Sequence, residues 1–381
     1  MATVSGPLRR SASSVQCGWP ATETVGSIST PARSELVAAA IYPLADERWD
    51  MLSRDHPDAT VFHTSNWARV LARTYGHQPH YLRFERSGET VALVPLMEVN
   101  SRWTGRRGVC LPFSDFCSPL IFDPLENAAI FAKLCEITAD RGWKYCELRG
   151  GLAAGNDDDS AAALFYGHEL DLTRGIEQLF ANLSTATRGG VRKARSSGLE
   201  AEIRLDAGAM GEYYRLHCLT RRRHGVPPQP WRFFQNIHNE IVAAGLGFVV
   251  TVRRGKSPLA AAVFFSWRGS GLFKFAASEA SAQKLRPNNL CLWRGIEHLV
   301  QVGCHTFQLG RTDLGNEGLR RFKRSWGAVE NPIRYDRLSA TTEGHGSTKR
   351  SGPGRLHKHL FRRLPLVVNR AAGAFLYRHL D

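Results

Sequence analysis

A chain of 381 residues, 43% of them apolar, can bury at least one large core and divides more naturally into two domains than one. No run of about 18 apolar residues is present to span a bilayer. Residues 1–34 lack the continuous apolar core of a secretory signal, so a cytoplasmic address is expected. The eight cysteines form no Cys-x-x-Cys pair and no zinc-finger spacing, which argues against a metal site and predicts reduced, mostly buried thiols.

The 50 basic and 35 acidic residues leave a net charge of +15. It is concentrated in the run Arg221-Arg222-Arg223, in Arg188, Arg192, Lys193 and Arg195, and in the stretch after Thr341. Such clusters attract phosphorylated substrates, acidic membranes or tRNA. No DNA-binding motif accompanies them, so DNA is not expected.

Residues 37–99 read as helix followed by hairpin. Asn66 is placed to cap a helix running to Thr74, and strands His80 to Glu85 and Thr90 to Val99 flank the turn at Ser87-Gly88. A third strand approaches Leu111. Helical spacing then covers Leu125 to Arg141, stopped by Gly142 before a strand from Trp143 to Leu148.

The second half repeats this order. A helix from Met210 to Arg223 stops at Gly225, and a helical segment spans Phe233 to Ala244. Strands Phe248 to Arg253, Leu259 to Trp267 and Leu272 to Ala277 follow. A helix from Leu290 to Val302 then ends at Gly303 and leads into the strand Cys304 to Leu309. The recurrence of helix, meander, helix and returning strand suggests an ancient duplication.

Several segments carry a family resemblance. Ala186 to Gly198 places Arg188, Arg192 and Arg195 along one side of a basic helix. The segment Glu317-Gly-Leu-Arg-Arg-Phe322-Lys323-Arg-Ser-Trp326-Gly327 pairs Phe322 and Trp326 at helical spacing, predicting that both anchor the helix while Lys323 projects to its flank. Gly310 to Glu317 is a polar loop at the end of a strand, where a rigid sheet commonly positions chemistry. Thr220 to Phe234 carries His224 and Gln229 on a proline-stiffened loop, and Leu111 to Pro119 carries Asp115 and Cys117. From Leu170 to Leu338, and more weakly from Tyr42 to Gly167, the chain resembles FemAB-like proteins with a BioF2-like acetyltransferase domain, in the GNAT superfamily.

The resemblance implies an α/β (α+β) fold of two tandem GNAT-like domains, each a mixed, mainly antiparallel sheet flanked by helices. The expected divisions are a disordered segment 1–34, domains 35–169 and 170–340, a linker 341–355 and a basic amphipathic helix 356–381. The implied activity moves an acyl or aminoacyl group onto an amine of a cell-envelope or polysaccharide-related acceptor, a phosphorylated or lipid-linked glycan or peptide. Proteins of this type also occur near exopolysaccharide and protein-sorting systems.

In this reading Lys323 stabilises the reacting acyl group, and Asp313, Glu317 and Asp115 are the candidate acids and bases. Arg188, Arg192, Arg311, His224 and Gln229 are the candidate substrate-binding residues. Cys117 would be a nucleophile only with a base beside it. The sequence has no full Arg/Gln-x-x-Gly-x-Gly/Ala turn for a coenzyme A pyrophosphate. It also has no sustained heptads for a tRNA-binding arm. The donor, acyl-CoA or aminoacyl-tRNA, is therefore open, and no prosthetic group is expected.

In the tail, Leu356, Leu360, Leu364, Val367, Val368, Ala371 and Phe375 recur at helical spacing among arginines. Such a helix either lies on an anionic bilayer surface, which would make the protein peripheral on the inner face of the plasma membrane, or docks on its own domain. The competing functions are a non-catalytic scaffold of an envelope-assembly complex and a basic RNA-binding protein.

Overall fold

The computed structural model describes residues 34–152, 163–339 and 355–380. The expected N-terminal segment and linker fall outside these residues, Ser34 and Arg355 apart.

The strands are β1 (Val37–Ile41), β2 (Gln78–Arg86), β3 (Glu89–Ser101), β4 (Gly105–Val109), β5 (Leu120–Ile121), β6 (Cys146–Arg149) and β7 (Ala163–Asp171) in the first half. The second half adds β8 (Glu200–Arg204), β9 (Gly247–Arg254), β10 (Ser257–Trp267), β11 (Ser270–Ser278), β12 (Thr306–Gln308), β13 (Thr312–Asp313) and β14 (Val329–Leu338). They form one mixed, mainly antiparallel sheet in the order β1-β2-β3-β4-β6-β14-β7-β12-β11-β10-β9-β8, with β5 on β3 and β13 on β7.

The two halves have matching plans. Each runs as an antiparallel meander, then crosses by a helix to a parallel strand: β4 to β6 through Asn127–Asp140, and β11 to β12 through Pro287–Gln301. Gly142 and Gly303, just beyond these helices, hold φ values of +60° and +80°, the left-handed conformation that stops a helix at little steric cost.

The halves then exchange their last strands. β7 follows β6 in the chain yet pairs with β12, while β14 follows β12 and pairs with β6. β7 and β14 pair with each other antiparallel at the centre of the sheet. The expected boundary at 169/170 therefore falls inside β7, and the described residues from Glu35 onward form one compact unit.

Alternation along β10 shows how the core is laid out. Ala260, Ala262 and Phe264 join the apolar cluster under Pro287–Gln301, while Ala261, Val263 and Phe265 join the cluster that includes the first half. There the Phe265 ring meets Phe62 and Trp67 edge-on, so aromatic packing ties the halves together.

Three local expectations change. Val37 to Ile41 is an edge strand, because pairing with β2 overrides the helical preference of its alanines. Asn66 lies inside the helix Ser65–Tyr75 and donates to the Glu240 carbonyl at 2.6 Å. Asp50 instead accepts from the Ser65 amide at 2.8 Å. In the helix Glu317–Arg324, Phe322 is 40% exposed while Lys323 is 5% exposed, the reverse of the expected arrangement. Trp326, just past the helix end, alone occupies the core.

The tail forms helices Arg355–Arg363 and Leu366–Leu376 and docks on the protein. The Tyr377 hydroxyl accepts from Arg221 at 2.5 Å, and the His379 carbonyl accepts from Arg107 at 2.9 Å. None of the described helices is long and apolar enough to cross a membrane.

Candidate active site

A cleft of ≈ 660 Å³ opens where the two halves meet. Its position follows from the sheet. β11 pairs with β12 only from Ser270 to Leu272, after which β12 ends and β11 runs on to Ser278 paired with β10 alone. In the first half, the matching region beyond β4 and β6 is filled: Arg149 donates to the carbonyls of Leu111 and Ser114 at 3.2 and 3.1 Å.

The cleft is apolar along Phe62, Phe116, Phe265, Trp267 and Leu272, and polar around Asp115, Arg311, Gln308 and Glu169. Asp115 comes from a loop in which Leu111 and Phe113 hold φ values of +53° and +61°. These are costly for residues with a Cβ and are found where the surroundings impose them. The Tyr335 hydroxyl of β14 fixes the loop by donating to the Asp115 carbonyl at 2.6 Å.

Lys274, on the part of β11 beyond β12, reaches across to this loop. Its ammonium donates to Asp115 Oδ2 at 3.0 Å and to the Phe113 carbonyl at 2.6 Å. It lies 5.0 and 5.4 Å from the ring centroids of Phe62 and Phe275. Burial pushes the Lys274 pKa down and Asp115 pulls it back only in part. For Asp115, burial raises the carboxyl, but Lys274, Arg311 and Lys323 outweigh it and hold the group below its usual range.

Arg311 stacks 4.4 Å from the Phe165 centroid and 5.1 Å from that of Tyr335. Its Nη1 is buried without a hydrogen bond inside the protein. Lys323 stands behind the Arg311 loop, donating to the carbonyls of Gly310 at 2.7 Å and Arg311 at 3.0 Å. Burial takes its pKa down to about 8, with Asp115 opposing.

Asp115 and Arg311 thus share the cleft, with Lys323 directly behind it. The other candidates lie elsewhere. Glu317 is exposed and pairs with Arg320 and Arg324 in its own helix. Asp313 is exposed on β13. Arg188 donates to the Ala181 carbonyl at 2.5 Å, Arg192 stacks 5.6 Å from the Phe180 centroid and Arg195 pairs with Glu297 at 2.7 Å, so the three do not converge. His224 is exposed at the end of the helix Ala207–His224. Gln229 bonds the buried His217 at 2.8 Å.

Cys117 does have a histidine nearby, with His63 Nε2 at 3.5 Å from its Sγ. That nitrogen also faces the Ser118 carbonyl at 2.9 Å, while Nδ1 accepts from the Thr60 amide at 2.9 Å. The bonds fix the proton on Nε2, leaving no lone pair for the thiol. Burial raises the Cys117 thiol well above its ordinary pKa, so it is no nucleophile.

Sequence reading missed Lys274 and Tyr335. Lys274 left one signal: a cation between two phenylalanines on the alternation of a buried strand.

The meander-helix-strand plan is thus built twice, with an open cleft where the second parallel pair ends. Residues 181–324 match the family described as "Acetyltransferase (GNAT) domain". Residues 181–324 thus carry a GNAT domain match, and the chain as a whole is similar in fold to tandem GNAT proteins.

A crystal structure of FemX is 13% identical with a TM-score of 0.59, covering 78% of this chain and 96% of that one. The C-terminal domain of a putative lysylphosphatidylglycerol synthetase from Agrobacterium fabrum is 14% identical, TM-score 0.51, covering 79% and 93%. A tandem GNAT protein from the clavulanic acid biosynthesis pathway is 9% identical, TM-score 0.52, covering 81% and 100%. At these identities the likeness is one of fold. No curated protein matches the chain in sequence.

Proposed function

We propose that this protein is an N-acyltransferase that moves an acyl or aminoacyl group onto an amine of a cell-envelope acceptor. The observation that carries the reading is Asp115 beside Arg311, with Lys274 bonded to Asp115 from behind, in a cleft between the halves that joins this charged end to an apolar wall. A phosphorylated or lipid-linked glycan or peptide suits such a cleft, because Arg311 offers a buried donor to an anionic group.

The reaction needs no covalent enzyme intermediate. The acceptor amine attacks the donor's carbonyl, a C–N bond forms, and the thioester or ester bond breaks. The proton lost by the amine ends on the departing thiol or hydroxyl. Asp115 is held too acidic to be a strong base, so its role is to orient the acceptor amine, which gives its ammonium proton to solvent and attacks in the neutral form. Lys323 acts as a positioning residue, holding the loop that presents Arg311.

The donor is acyl-CoA or aminoacyl-tRNA. Incubating the full chain with each, and following release of free thiol or of uncharged tRNA with an amine acceptor, tests the proposal. Turnover with one donor, strongly reduced at low substrate in an Arg311→Ala protein of unchanged thermal midpoint, is the expected result. Absence of turnover and of binding with both donors would overturn it.

A further inference from the structure

The docked tail carries a second apolar face. In Leu366–Leu376 and the turn after it, Asn369, Gly373 and Tyr377 recur every fourth residue and are buried against the protein. A Cβ added at Gly373 would lie 1.8 Å from the Pro228 carbonyl, so this face sits directly on the proline loop. At about 100° per residue, Val367, Ala371, Val368 and Phe375 occupy the opposite side. Val367 is 75%, Val368 46% and Phe375 51% exposed. A helix apolar on both sides is normally covered on both.

The surface around this face is of one chemical kind. Trp103, at the tip of the β3–β4 hairpin and 61% exposed, packs edge-on to Phe375 and stacks on His379. Arg363 and Arg378 are exposed, and residues 356–381 contain five lysines and arginines against one acid, Asp381. An aliphatic and aromatic face with exposed arginines beside it complements a surface with an apolar interior and anionic headgroups.

We infer that the docked tail and Trp103 together form a binding surface for an anionic lipid bilayer, with the outer face of Leu366–Leu376 entering the headgroup region. Docking on the protein and binding the membrane are then simultaneous, using opposite faces of one helix. On the inner face, Tyr377 lies 6.1 Å, ring to ring, from Phe113, whose carbonyl accepts from Lys274. This inference stands independently of the chemistry assigned to the cleft.

Co-sedimentation of the full chain tests it, using phosphatidylcholine vesicles with and without phosphatidylglycerol, at low and high salt. The unmodified chain should pellet with the mixed vesicles, far less with neutral ones, and dissociate as salt rises. Arg363→Glu/Arg378→Glu should lower partitioning by roughly 25-fold or more, each lost cation being worth about fivefold. Val367→Ser/Val368→Ser should lower it at unchanged circular dichroism. Failure to bind mixed vesicles, equal binding to neutral vesicles, or salt-independent binding by the unmodified chain would overturn the inference. So would a dimer in solution that Val367→Ser/Val368→Ser dissociates, since a second copy would then cover the face.

Discussion

Lys274 Nζ lies 3.0 Å from Asp115 Oδ2, an ion pair that joins the two halves at the wall of the cleft. Lys274 has 5% and Asp115 27% of its side chain exposed. Removing one partner of such a pair leaves the other charge desolvated. Lys274→Met alone and Asp115→Asn alone should each cost about 2–4 kcal/mol in urea unfolding, and the double variant clearly less than their sum. Additive losses would show that the two charges do not act as a pair.

Lys323 makes stability depend on pH in an uncommon direction. Its folded pKa is about 8 against an ordinary 10.5, so from about pH 8 to 10.5 the unfolded chain binds the extra proton. Stability from this group therefore rises across that window, by roughly 2–3 kcal/mol in full, and is flat below it. Because Lys274 shifts the same way, the measurement is the difference in thermal midpoint between the native chain and Lys323→Met from pH 7 to 10.5. The native chain should gain on the variant as pH rises.

Local signals in the sequence were read well where a residue type fixed the backbone. Ser87 and Gly88, at φ +52° and +84°, make the tight turn between β2 and β3, and Gly142 and Gly303 end their helices. Asp115 and Arg311 were legible as polar residues on loops at strand ends. The exchange of β7 and β14 was not, because it depends on which strand edge each segment finds, and both edges present the same backbone groups. Lys323 was misplaced because helical spacing gives the angle between neighbours but not which side meets the core. Here the carbonyls of Gly310 and Arg311 turn that side toward the lysine.

Arg311 should prove sensitive even to lysine. Its guanidinium carbon lies over the rings of Phe165 and Tyr335, and its Nη1 is buried without a hydrogen-bond partner in the protein. A lysine keeps the charge but can neither stack so nor offer a forked donor. With whichever donor is turned over, Arg311→Lys and Arg311→Ala should both raise KM for the anionic substrate about 10- to 100-fold, the scale of one charge-assisted hydrogen bond. An Arg311→Lys protein with native KM would remove Arg311 from substrate binding.

The strand exchange predicts that the halves depend on each other for folding. Cutting the chain at 169/170 would divide β7, strip β14 from β6, and expose Phe165, Ile333 and Tyr335, which pack together at the centre of the sheet. An unpaired central edge is costly, since its amides and carbonyls lose their partners and its apolar faces meet water. Fragments 35–169 and 170–381 made separately should therefore show little native circular dichroism and tend to aggregate, while the intact chain unfolds in one transition by fluorescence and circular dichroism alike. Two separate transitions in the intact chain, or a folded monomeric fragment, would mean that each half stands alone and that β7 and β14 only decorate it.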